Sequence, residues 1–266
     1  RLLGGEIPIR GMAGDQQAAL IGQSCFAPGQ GKITYGTGGF MLLNTGTRRV
    51  HSHNRLLATI GYRIDGSTHY ALEGSLFVAG AAIKWLRDGL GIIVEARQTQ
   101  EMAARLPGNG GVYMVPAFVG LGAPHWHTEA RGMLTGLTFD SGPAHIARAA
   151  LESVAFQTAD LVAAMAADGA GALAALRVDG GMAANDWFCQ FLADILDITV
   201  ERPANLETTA LGAAMLAAHA SGCWGRVLDS DARAVALTRF TPAMAAAERA
   251  RLTAEWQAAI RRATLA

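Results

Sequence analysis

The chain has 266 residues, 22 Lys+Arg against 22 Asp+Glu, 51% hydrophobic and 17% charged residues. That composition excludes a disordered chain and provides a sizeable core for one large domain or two modest ones. The zero formal balance argues against a broad nucleic-acid footprint, and no apolar run approaches the ~20 residues of a membrane span. No secretory leader pattern opens the chain, which begins at Arg1 without a methionine and reads as a piece of something longer. Cys25, Cys189 and Cys223 are scattered and odd in number, and read as free thiols of a reducing, cytoplasmic compartment.

In chain order, residues 15–26 read as a helix with small and apolar Ala18, Ala19, Ile21 and Gly22. Residues 32–46 hold two β-prone segments about a glycine-rich turn and predict a hairpin. Further strands are expected at 56–62 and 68–72, then helices at 75–89 and 93–105. A short buried strand at 112–118 precedes a long loop, 120–131. The longest helix, 143–167, starts on Pro143 and carries Ile146, Ala150 and Val154 at i, i+4 spacing. The last third alternates. A strand at 174–178 ends on Asp179-Gly-Gly, a two-faced helix covers 186–196, and a strand covers 198–201. A small-residue helix, 208–220, stops before Gly222, and a terminal helix begins at Thr241-Pro242. This order predicts one α/β domain, residues 1–266, around a mixed sheet flanked by helices.

Three places could carry chemistry. The turn YGTGG (35–39) offers backbone N–H groups and the Thr37 hydroxyl to an anion, or is a flexible hairpin turn. The second, VDGGMAAN (178–185), joins strand to helix, where glycines and a helix N-terminus suit a nucleotide; Asn185 either reaches that ligand or caps the helix. Asp15, after Gly14 and before a helix, is either an N-cap or a base facing a cleft, with Gln16 beside it to hydrogen-bond a polyol. The pairs His51/His53 and His125/His127 lack an evident completing ligand, so no metal site is predicted; they read as surface or loop residues.

Taken together, GDQQAA (14–19), TYGTG (34–38), ALEG (71–74), WLRD (85–88), PAFVGLGAP (116–124), ARG (130–132), LES (151–153), RVDGG (177–181) and TTALGAA (208–214) closely resemble, in order, the C-terminal domain of the FGGY carbohydrate kinase family. The Asp-Gln-Gln form is similar to the members that phosphorylate glycerol. The resemblance implies an actin-like, ribonuclease H-like ATPase fold and ATP-dependent phosphorylation of glycerol to glycerol 3-phosphate, with Mg²⁺ between the phosphates. It implies Asp15 as catalytic base, Gln16 and Phe40 as glycerol contacts, and Gly36, Thr37, Gly80, Lys84, Gly181 and Asn185 as nucleotide contacts. It also implies a homo-oligomer, dimer or tetramer, and a first domain carrying the rest of the cleft, so that this chain alone would be inactive. Another polyol or sugar kinase of the family, or a fragment that only binds nucleotide or assembles, is the competing expectation.

Three departures matter. Lys84 stands where many relatives have glutamine, His127 where the loop usually reads Trp-Asp, and Glu6 where some bacterial relatives carry an arginine of a fructose-bisphosphate site. Reversed charge at position 6 argues against that regulation.

Overall fold

The computed structural model describes residues 5–223 and 237–265. Its centre is a seven-stranded mixed sheet in the order β3-β4-β2-β1-β7-β8-β9. The strands are β1 (Gly31–Tyr35), β2 (Gly39–Gly46), β3 (Leu57–Ile64), β4 (Ser67–Leu76), β7 (Ala175–Gly180), β8 (Thr199–Pro203) and β9 (Leu237–Phe240). β1, β7 and β8 run parallel, and every other pairing is antiparallel. A separate ladder pairs β5 (Tyr113–Val115) with β6 (Met133–Thr135). The mixed sheet flanked by helices agrees with the sequence expectation.

Strand alternation sends Ile33, Tyr35, Met41 and Leu43 to the larger core. That face is covered by α2 (Gly80–Asp88), α3 (Gln98–Ala104), α4 (Pro143–Ala167), α5 (Asp186–Leu196) and α7 (Ala246–Thr264). α4 is buried nearly all round, as expected of a helix lying between a sheet and other helices. At its centre Phe156 stacks on the buried Trp256 of α7, 5.3 Å between centroids, and meets Phe191 of α5 edge-on. The opposite face carries α1 (Asp15–Gly22) and α6 (Thr208–Ala220), whose Leu20, Ile21 and Met215 pack on Leu42, Tyr62 and Ala71.

Several boundaries differ from the sequence expectation, and each difference has a reason in the backbone or its hydrogen-bond partners. α1 stops at Gly22, and Ser24 takes a positive φ of 53°. The segment expected as helix from 75 is strand to Leu76; α2 begins at Gly80, where the carbonyls of Gly36 and Thr37 accept its first amides. α3 begins only at Gln98, because that side chain accepts from the amides of Val94 and Glu95 and holds them out of the helix. α7 begins at Ala246, not at Thr241-Pro242: Asp194 Oδ1 accepts from the amides of Ala243 and Met244, and Gln190 donates to the Thr241 carbonyl. β6 and β9 are not anticipated by the sequence reading.

α4 also buries Glu152. Arg148 donates to it at 2.7 Å and Asn109 at 3.3 Å, but burial dominates and pushes its carboxyl up to about 7. Between the ordinary carboxyl value of 4.5 and about 7, the folded chain holds a proton that the unfolded chain has released. Stability therefore falls as pH rises through that window, on the order of 3 kcal/mol when the carboxylate is fully ionised. Glu152→Gln removes the titrating proton and keeps one of the two oxygen acceptors, and is expected to flatten this slope; urea unfolding of both proteins at pH 5 and pH 7.5 measures it.

Candidate active site

Parallel pairing of β1 with β7 sets Tyr35 opposite Gly180. The two glycine turns, 36–38 and 180–181, therefore leave the sheet side by side, although about half the chain separates them in sequence. Gly180 has a φ of 84°, and a Cβ there would stand 2.3 Å from the Tyr35 carbonyl oxygen, so only glycine fits. Together they open on a cavity of about 770 Å³, whose walls include Gly36, Gly80, Lys84, Gly181 and Asn185. A Cβ at Gly181 would meet nothing within 4 Å, and one at Gly36 only the Gly38 oxygen at 4.0 Å. Those backbones thus face open space that a ligand can approach closely. Gly80 is different: its Cβ would press on the Gly36 carbonyl oxygen at 2.6 Å, so its role is to let α2 close on the hairpin turn.

Thr37 does not line the cavity. Its carbonyl accepts from the Ala79 and Ala81 amides at 2.9 and 3.0 Å, and the residue sits exposed at the tip. Asn185 caps α5, its Oδ1 accepting from the Phe188 amide at 3.0 Å, while its Nδ2 donates to Thr99 at 3.3 Å. Asn185 is thus a helix cap, and it also lies in the cavity wall. Lys84 is exposed at the rim. Thr99 and Gln100 of α3 also line the cavity, and Gln100 ties this helix to α5 by accepting from the Asp186 amide at 2.8 Å. The sequence reading missed both, since a short polar helix carries no motif.

On the other side of the hairpin lie Asp15, Gln16 and Phe40. Asp15 is not an N-cap: Gly14 holds that position, and Asp15 is the first helical residue. Its carboxylate is exposed and accepts from the Gln16 amide at 2.9 Å and from Gln16 Nε2 at 3.1 Å. Phe40 is 40% exposed, an unusual position for a phenylalanine in mid-sheet. It lies opposite Thr34 in register, on the same strand face as Lys32. Lys32 joins the two groups, its ammonium donating to Gln16 Oε1, to Thr34 Oγ1 at 3.1 Å and to the Phe40 carbonyl at 3.4 Å. Burial lowers this lysine to about 8, against the pull of Asp179 and other nearby acids. Neither Asp15 nor Thr37 is walled inside the core.

The histidines divide. His51 and His53 are exposed, whereas His125 is largely covered and meets Asp160 of α4 at 3.0 Å. Asp160 also accepts from Trp256 and Gln257, so His125 anchors the long loop to two helices and is no free surface residue. His127 pairs with Leu121 across that loop. Trp126 packs edge-on against Phe77 and donates to the Arg55 carbonyl at 2.7 Å. Glu6 is exposed. Among the described residues no three His, Cys, Asp or Glu side chains cluster so as to hold a metal, and no helix is long and apolar enough to cross a membrane.

The C-terminal domain of the FGGY family of carbohydrate kinases matches residues 31–221. The chain belongs to the FGGY family of carbohydrate kinases. This FGGY chain is 60% identical over 98% of its length to a glycerol kinase of Rhodospirillum centenum, covering 52% of that protein. It is 59% identical to one of Gluconobacter oxydans, covering 51%. It thus spans about half the length of the curated relatives that it matches. Among solved structures, the glycerol kinase of Plasmodium falciparum with ADP superimposes with a TM-score of 0.88 at 40% identity, over 95% of this chain and 50% of that one. A xylulose kinase of Rhodospirillum rubrum gives a TM-score of 0.78 at 26% identity. The fold is that of the actin-like ATPases to which these FGGY sugar kinases belong.

Proposed function

We propose that the chain is the nucleotide-binding half of an ATP-dependent glycerol kinase. The observation that carries this reading is the convergence of both glycine turns on one cavity, with the exposed Asp15 and the half-buried Gln16 on the other side of the hairpin. High identity to glycerol kinases supports glycerol over a sugar as the acceptor.

On this reading the nucleotide lies along Gly181 and Asn185 and passes Lys84, which adds a charge at the rim where relatives carry an amide. Its phosphates run toward Gly36 and the Thr37 tip. Gln16 hydrogen-bonds the polyol, and Phe40 covers its carbon chain. Asp15 takes the hydroxyl proton as the alcohol oxygen bonds to the γ-phosphorus. The bond to the bridging oxygen breaks, and ADP leaves. Most of the rate then comes from holding two reactants in line. Mg²⁺ belongs to the proposal as a companion of the phosphates. The described residues hold no cluster to keep a resident metal. Assembly as a homo-oligomer in the cytoplasm is part of the same reading.

The test is ADP release by the complete enzyme, with this chain joined to the N-terminal half of the Rhodospirillum centenum relative. Glycerol is expected to be the acceptor; release with xylulose or gluconate and not with glycerol would reassign the substrate. Residues 1–266 alone are expected to show negligible turnover, since one cleft wall has no counterpart. Calorimetric titration with ATP is expected to show residual binding to that chain, and robust phosphorylation by it would overturn the half-site reading.

A further inference from the structure

Strand register places two polar rows on the sheet face beneath α1 and α6. Glu73, Leu42, Lys32, Arg177 and Glu201 lie side by side across five strands, and Ser75, Phe40, Thr34 and Asp179 form the next row. Arg177 is satisfied by Glu201 at 3.2 Å and by the Gln23 carbonyl. Lys32 differs. It is wholly buried in the central strand of this row, and the hydrogen bonds of its ammonium go to three neutral acceptors. An ammonium has three N–H donors, so the three acceptors account for all of them.

We propose that Lys32 is a positioning residue of the acceptor site: it fixes the side chain of Gln16, through it the carboxylate of Asp15, and ties both to the Phe40 wall. The kinetic part of this inference rests on the function proposed above. An ammonium can only donate. It therefore turns the Gln16 carbonyl oxygen inward and leaves the amide nitrogen to donate to Asp15 Oδ2 at 3.1 Å. An acceptor at position 32 would leave the Gln16 carbonyl oxygen without a donor on its inner side. The Phe40 carbonyl accepts from the same ammonium, so the two sides of the acceptor pocket, one on α1 and one on β2, share a buried tether. Burying a cation is costly, and a methionine would fill the same space. A purely packing role therefore gives no reason for the charge. The groups that face Lys32 are Asp15 of α1, Cys25 after it, Glu73 of β4, and Asp179 and Arg177 of β7. Acids outnumber the other cation, and they keep the ammonium charged in neutral solution.

The first experiment uses the 266-residue chain and proton–nitrogen NMR. A slowly exchanging Lys32 ammonium is expected, with a dispersed Gln16 side-chain amide that collapses toward free glutamine in Lys32→Met. The second uses the joined enzyme. Lys32→Met is expected to lower kcat/KM for glycerol on the order of 10²-fold, as for a misplaced reacting group. The KM for ATP stays unchanged. In Lys32→Ala, propylammonium is expected to restore part of the rate. Wild-type kcat/KM in a folded Lys32→Met enzyme would overturn the proposal, as would equal losses toward glycerol and ATP. If neither variant folds, the wild-type chain decides: a Lys32 ammonium exchanging like a surface lysine rejects the inference. A joined wild-type enzyme that does not phosphorylate glycerol removes the functional reading and leaves the NMR arm to judge Lys32.

Discussion

Asp15→Asn is expected to reduce kcat of the joined enzyme on the order of 10²- to 10⁴-fold, the usual contribution of a general base. The substitution keeps the size of the side chain and one oxygen acceptor for the Gln16 amide, but removes the site for the proton. Because Asp15 is exposed and Gly14 is the residue at the N-cap, the fold does not depend on the carboxylate. The melting temperature and ATP binding should therefore match the wild type while glycerol-dependent ADP release collapses. A coupled assay for ADP across a glycerol series separates kcat from KM. Turnover by Asp15→Asn at the wild-type rate would show that the base lies elsewhere, and the hairpin side of the site would need a new assignment.

The second large effect is structural. Gly212→Ala is expected to destabilise the chain by about 3 kcal/mol or more, at the upper end of overpacking. A Cβ on Gly212 would lie 1.7 Å from the Ala18 carbonyl oxygen, and one on Gly22 would lie 1.9 Å from that of Thr208. α1 and α6 thus cross with their backbones in contact, through one glycine from each. An added methyl forces the helices apart and loosens Leu20, Ile21 and Met215 from the sheet. Since α1 also carries Asp15 and Gln16, the joined enzyme should lose activity beyond its loss of stability. Urea unfolding gives the first quantity, and kcat/KM for glycerol well below the unfolding midpoint gives the second. A Gly212→Ala chain as stable as the wild type would mean that the helices slide apart at no cost, against the backbone contact at Gly212 and Gly22.

Both predictions begin from residues that are plain in the sequence but whose consequences are not. Gly22 reads as one small residue of a helix, and Gly212 as one of many in the run from Thr208 to Ala220. Nothing local says that the two meet. Asp15 reads as a cap or a base, and only its position in the helix removes the first choice. Lys32 reads as one polar position of an alternating strand. Its significance arises from neighbours on α1 and β2, 16 and 8 residues away. Boundary errors have a similar source. Gln98 and Asp194 each capture backbone amides that a periodic pattern assigns to a helix, and side-chain capture leaves no trace in hydrophobic spacing.

Hydrophobic period and turn chemistry by themselves determined much of this protein. α4, α5 and α6 run over the expected residues, since apolar spacing, Pro143, Asn185 and Gly222 mark them locally. The hairpin at 32–46 and the strand leading to Asp179-Gly-Gly follow from the same local rules, and the motif order points to the family. Only the tertiary structure decided that the two glycine turns share one cavity, because parallel pairing of β1 with β7 is a contact between distant segments. It alone decided which polar groups lie buried under α1, because burial depends on what packs on top, and no residue encodes that by itself.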